Sequence, residues 1–148
     1  MPLLLSSSPI FVSDSMEGTF KILKIKNITH GVIELRSDNI LTFRPDIVSF
    51  KDYDLQVFKD LLEVFVDIID GTPRLYLCDN TYVTGIVNKE ALAFMNDHFD
   101  TFATKAAMIT HSQVTKVVLN GYNSIFKPKI TFKLFTSEKK AVKWLLQG

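Results

Sequence analysis

The residues able to do chemistry are few and scattered. Three histidines, His30, His98 and His111, share no metal-ligand spacing with one another or with Cys78, the single cysteine. His111 follows an expected strand, where it can serve a site or simply face solvent. Cys78 falls inside the mostly apolar run Arg74-Leu-Tyr-Leu-Cys-Asp79. A reactive thiolate needs a basic, partly exposed setting, so Cys78 reads as a small core residue. There is no GxGxxG or Walker phosphate loop and no GxSxG nucleophile elbow. Asp60, Glu63, Asp67 and Asp70 fall on the polar side of a helical pattern and read as a solvated face, not as paired catalytic acids. No metal site, no cofactor and no catalytic set is implied, and the expectation is a protein that is not an enzyme.

Two groups of polar residues remain. Thr84, Asn88 and Ser112 lie near expected helix N-termini at strand ends. Such positions line binding crevices in open α/β sheets and favour anions, or they simply cap the helices. The second group is Lys127, Lys129, Lys133, Lys139, Lys140 and Lys143. These can form a basic face, but they lack interleaved exposed aromatics and any Arg, so nucleic acid is not favoured. They belong to a strong asymmetry. Residues 101–148 hold eight Lys and one Glu, for a charge of +7, against −6 for residues 1–100, within a net charge of +1. A surface polarised in this way can steer a charged partner, or merely keep the chain soluble.

The elements that must position these residues follow from periodicity. Residues 1–18 are Ser-rich, without a sustained period, and read as a flexible N-terminal tail with at most a short extended piece at Ile10-Phe-Val12. Residues 19–148 read as one domain. Three short strands follow Thr19, broken at His30-Gly31 and Ser37-Asp38-Asn39 and ended by Pro45. Asp54 to Ile69 is the clearest helix: Leu55, Phe58, Leu62, Phe65 and Ile69 recur at three and four residues, with Leu61 and Ile68 widening the stripe. Asp70-Gly71-Thr-Pro73 stops it, with Gly71 placed for a left-handed cap. Arg74–Asp79 reads as a buried parallel strand. A shorter helix follows over 88–96, then a strand over 106–110. Ser112 then starts a helix with Val114, Val117, Val118, Tyr122 and Ile125 on one face, stopped by Pro128. Ile130–Phe135 is the last strand, and Ser137 caps a final helix with Ala141, Trp144 and Leu145 inward. Strands alternating with helices imply a mainly parallel sheet with right-handed crossovers.

Several stretches together carry a resemblance. They are Gly71-Thr-Pro-Arg-Leu-Tyr-Leu-Cys-Asp79, Asn88-Lys-Glu-Ala91, Ala106-Ala-Met-Ile-Thr-His-Ser112, Lys127-Pro-Lys129 and Leu134-Phe-Thr-Ser-Glu-Lys-Lys-Ala-Val-Lys-Trp-Leu145. Over roughly residues 19–147 the chain resembles the uncharacterised bacterial proteins of SpoIIAA-like, or STAS-like, fold. That resemblance implies an α/β domain with a mixed β-sheet, N-terminal antiparallel strands, then alternating β/α units, and about four helices. It implies a regulatory or protein-interaction module. In anti-sigma-factor antagonists of this kind, a Ser at a helix N-terminus is phosphorylated within an Asp-Ser-Ser-Gly signature. The signature is absent here, and the nearest region, Asn80 to Asn88, offers Thr81 and Thr84 before Gly85.

The expected function is therefore a non-enzymatic regulatory or interaction module, whose partner is another protein or a second copy in a homodimer. The alternative is a small-molecule or lipid-binding carrier, with the apolar Asp54–Ile69 helix and Phe-rich strands lining a pocket. No apolar run approaches the ~20 residues of a spanning helix, so membrane insertion is not expected. The single cysteine and the lack of a signal-peptide pattern suit a cytoplasmic location.

Overall fold

A computed structural model describes residues 19–83, 88–126 and 129–147, with the side chains of 122–126 outside that description. The expected tail, Thr84 and Lys127 lie outside the described residues, as does Pro128. Six strands form one sheet in sequence order: β1 (Ile22–Ile28), β2 (Gly31–Arg36), β3 (Ile40–Pro45), β4 (Arg74–Asp79), β5 (Ala103–Ile109) and β6 (Thr131–Phe135). β1 to β3 are antiparallel, and β3 to β6 are parallel. The helices are α1 (Leu55–Ile68), α2 (Lys89–Phe102), α3 (Gln113–Phe126) and α4 (Glu138–Leu146). α2 runs six residues past the expected end at Asn96, because Phe99 and Phe102 continue the buried stripe of Ala91 and Met95.

Topology decides which face each helix covers. Each parallel step moves the chain to the next strand in the same direction, and right-handed crossovers then place every connecting helix on one face. α1, α2 and α3 share that face with Ile33, Leu35, Leu41, Phe43, Tyr76 and Cys78 of the sheet. α4 follows the last strand, makes no crossover, and covers the other face. There Ala141, Val142 and Leu145 pack on Ile40, Leu77, Ala107 and Ile109. The core of the larger layer is aromatic: Phe65 packs on Phe102 at 4.7 Å between ring centroids, and Tyr76 meets Phe102 edge-on at 5.2 Å.

Three details depart from the sequence expectations. At the end of α1 the left-handed position is taken first by Asp70 (φ 54°) and then by Gly71 (φ 77°), so Gly71 does not hold it alone. The acidic side of α1 is not simply solvated. Asp60, Asp67 and Asp70 pair with His30, Lys26 and Lys24 of the β1–β2 hairpin and tie helix to sheet. The α3 stripe is the third. Val114 and Val117 are 53% and 72% exposed, and it is Leu119 that is buried, because the helix presents its first turns outward.

Two predictions follow from this frame. Gly31 has φ 151°, and a Cβ there would lie 2.2 Å from the Arg44 carbonyl oxygen, against backbone that cannot yield. Gly31→Ala should lower the unfolding free energy by about 1–3 kcal/mol in urea titration; an unchanged midpoint would contradict the hairpin geometry. The Asp60 carboxyl is held below its usual range by its hydrogen bond to His30 and then by Gln56. A carboxylate depressed on folding stabilises above its unfolded pKa of about 3.9, and that contribution fades as pH falls through the folded value. The destabilisation caused by Asp60→Asn should therefore be present at pH 7 and vanish near about pH 2, as read by thermal melts.

Candidate functional site

The carboxyl ends of β3 to β6 gather most of the polar side chains of interest. The parallel register sets Phe43 beside Cys78, and Asp79 beside Ile109, so the residues just beyond emerge along one edge. Arg44, at the end of β3, is the hub. Its Nη1 donates to Asp79 Oδ2 at 2.9 Å and to Glu138 Oε1 at 2.8 Å, and its Nη2 donates to Glu138 Oε2 at 3.1 Å. Glu34 lies 3.8 Å from its Nε. Burial works against the charge, but the Glu138 hydrogen bonds and the fields of Glu138, Asp79 and Glu34 hold the guanidinium above its ordinary pKa. This cluster fastens the start of α4 to the sheet edge.

The candidate residues on the same edge are engaged by their own backbone. Thr81 donates its hydroxyl to Asp79 Oδ1, in a turn that also takes the Thr81 N–H. Asn88 caps α2, accepting from the Ala91 N–H at 2.7 Å. Ser112 caps α3, accepting from the Thr115 N–H at 3.1 Å, and its own N–H donates to Thr110 Oγ1. Thr81 follows β4, Asn88 opens α2 and Ser112 follows β5, so all three share the carboxyl end of the sheet. His111 is exposed beside Ser112, while His30 and His98 sit elsewhere, against Phe50 and Phe94. Among the described residues no group of three His, Cys, Asp or Glu side chains is placed to hold a metal ion.

Sequence reasoning missed what surrounds these caps. Ile47 and Val48 after β3, Tyr82 after β4 and Val114 at the start of α3 are 74%, 87%, 75% and 53% exposed. Each lies just past the end of a neighbouring parallel strand. Loop position hid Ile47, Val48 and Tyr82, since an apolar residue between elements carries no periodic signal, whereas Val114 was read as an inward-facing helix position.

Cys78 sits beneath this edge. Its Sγ lies 3.2 Å from the Tyr53 hydroxyl and 3.4 Å from Asn80 Oδ1, within a wholly buried polar cluster. Burial pushes its thiol up to about 11, so it is protonated at neutral pH and is no nucleophile. An apolar cavity of about 50 Å³ adjoins it, lined by Tyr76, Met95, Phe99, Met108, Leu119 and Phe132 among others.

The lysine face is altered by the structure. Lys129 reaches towards the Asp97 carbonyl oxygen of α2, away from α4. Lys139, Lys140 and Lys143 stand exposed on the outer side of α4, opposite Ala141, Val142 and Leu145. Lys133 of β6 joins them, its Nζ 5.5 Å from the Phe135 ring and 6.0 Å from that of Trp144. Lys105, not singled out in the sequence, places its Nζ 4.3 Å from the Trp144 ring and donates to the Trp144 carbonyl at 2.6 Å. Trp144 is half-buried against Phe135 rather than fully inward, so aromatics do interleave with these lysines.

The buried thiol gives a direct test. Cys78 should resist a water-soluble disulfide reagent at pH 8 in the folded protein and react within minutes once unfolded in urea. Rapid labelling of the native protein would contradict its placement.

Comparison with known proteins agrees with the architecture. A solved structure from Shewanella loihica PV-4, described as an uncharacterized protein from the DUF3478 family with a SpoIIAA-like fold, matches with a TM-score of 0.51 at 19% identity. The match covers 85% of this chain and 93% of that one. The fold of this protein is thus the SpoIIAA-like mixed α/β sheet, with four helices among the described residues. No protein of curated function matches the sequence. The model of a domain of unknown function, DUF7793, matches residues 33–147, which is most of the chain. The chain therefore belongs to the DUF7793 family of domains of unknown function.

Proposed function

We propose that this protein is a non-enzymatic interaction module that docks a partner protein at the carboxyl edge of its parallel strands. One observation carries the reading: Ile47 and Val48 after β3, Tyr82 after β4 and Val114 in the first turn of α3 are all exposed, and each follows the carboxyl end of one of three adjacent parallel strands. Soluble domains seldom leave large apolar side chains gathered in one region without use. Tyr is also favoured at interfaces, where its ring buries and its hydroxyl stays wet. Thr81 and Ser112 lie on the same edge, so a phosphate on either would enter the docking surface and change its charge.

The carrier reading has weaker support. The apolar cavity, at about 50 Å³, is far below the roughly 300–1,000 Å³ of typical ligand pockets. The interior that the sequence assigned to a pocket is taken up by the packed rings of Phe43, Tyr53, Phe65, Tyr76 and Phe102.

Val48→Asp and Tyr82→Ala, combined, test the proposal. Surface changes of this kind should leave stability within about 0.5 kcal/mol. A tagged protein from the native cell should recover a stoichiometric partner, and the double variant should lose most of it. Equal recovery by both, or no partner with the wild type, would defeat the reading.

A further inference from the structure

The structure carries a second surface, and its chemistry specifies the kind of partner. Lys139, Lys140 and Lys143 occupy neighbouring positions on the outer side of α4, at spacings of three and four residues. Trp144 lies one turn from Lys140, and its ring faces Lys133 and Lys105. The lysines therefore run as one patch from the helix onto β6 and the neighbouring β5. Among the described residues none of these five lysines forms an ion pair, in contrast to Lys24 and Lys26 of β1, which do. Glu138 is the only acidic residue after Asp100. It is spent on Arg44, on the side of α4 that faces the sheet. The patch is thus without acidic partners among the described residues: α4 is held by Ala141, Val142 and Leu145, by Glu138 on Arg44 and by Lys105 on the Trp144 carbonyl, and Lys139, Lys140 and Lys143 on its outer side take no part in that packing.

We infer that the α4–β6 face is a docking surface for an acidic segment of a partner protein. This rests on the interaction reading above and adds the chemistry of the partner to it. Charge complementarity selects an anion, because several ammonium groups without a carboxylate partner among the described residues share this face. The absence of Arg argues for carboxylates over nucleic acid, since bidentate reading of bases and guanidinium stacking are both missing. The Trp144 ring is already approached by Lys105 and Lys133, which leaves it poorly placed to stack a base. Instead it holds the two ammonium groups in position by cation–π attraction.

The test uses the intact protein with two fluorescent probes, a ten-residue glutamate peptide and a ten-nucleotide single-stranded oligonucleotide, followed by anisotropy. The glutamate peptide should bind at about 20 mM salt and about ten-fold more weakly at about 300 mM. Lys133→Glu with Lys140→Glu and Lys143→Glu should abolish that binding, while Lys21→Glu with Lys51→Glu, at exposed positions before β1 and between β3 and α1, should leave it intact. Failure of the wild type to bind the peptide at low salt, or undiminished binding by the triple variant, would overturn the inference. So would an oligonucleotide bound about ten-fold more tightly than the peptide. The two proposals separate cleanly. If the peptide fails but the edge-dependent partner is still captured, only this inference falls. If the peptide binds the lysine face but no partner depends on Val48 and Tyr82, only the docking edge falls. Circular dichroism of the triple variant must match the wild type, and if it does not, the milder Lys133→Gln with Lys143→Gln pair should weaken binding at least two-fold.

Discussion

The structure depends on covering both faces of the central strands. Tyr76 and Cys78 of β4 point into one layer and Leu77 into the other, and all three are buried. A parallel strand reached by crossovers cannot leave either side to water without losing the burial that orders it, at about 1.5–3 kcal/mol for each large apolar side chain. The three crossover helices all fall on one face, so the second face is left to the segment after β6. α4 has nine residues, and its inward side is Ala141, Val142 and Leu145. Its grip on the sheet is completed by Glu138 at its first turn, held by Arg44 from the strand where the sheet changes from antiparallel to parallel.

That arrangement separates structure from surface. Arg44, Asp79 and Glu138 satisfy one another, and Tyr53, Cys78 and Asn80 do the same below them. The polar groups at the carboxyl edge are thereby occupied in closing turns and capping helices. What the edge presents outward includes the apolar side chains from Ile47 round to Val114, and what α4 presents outward is basic. Two surfaces of different chemistry result: an apolar one at the carboxyl end, suited to desolvation, and a basic one along α4 that reaches towards the amino end of β5, where Trp144 meets Lys105, suited to long-range attraction.

The order of elements was legible because each segment carries its own period and its own stop. Ser137 caps where its side chain predicts, Asp54 rather than the equally eligible Asp52 caps α1, and the Phe58–Phe65 stripe buries as its spacing requires. Where the reading failed, the cause was tertiary. Asp67 and Asp70 are exposed and Asp60 is partly so, as the helix alone suggests, but only the positions of β1 and its turn give them Lys24, Lys26 and His30 as partners. Val114 and Val117 lie on the helical stripe that the sequence places inward, yet they are exposed and Leu119, off that stripe, is buried. Lys105 was hidden inside a strand pattern, since nothing local to Ala103–Ile109 indicates Trp144 above it. Asn88 and Ser112 were legible as caps, because that role is set by local sequence, whereas the turn that Thr81 makes with Asp79 was not read.

Hydrogen–deuterium exchange on the protein with and without its captured partner tests the central claim most directly. The account predicts slowed exchange in residues 46–50 and 113–118, at the carboxyl edge, with no change in the middle of α1. Protection confined to α1 and the β1–β2 hairpin, or no protection anywhere, would contradict it.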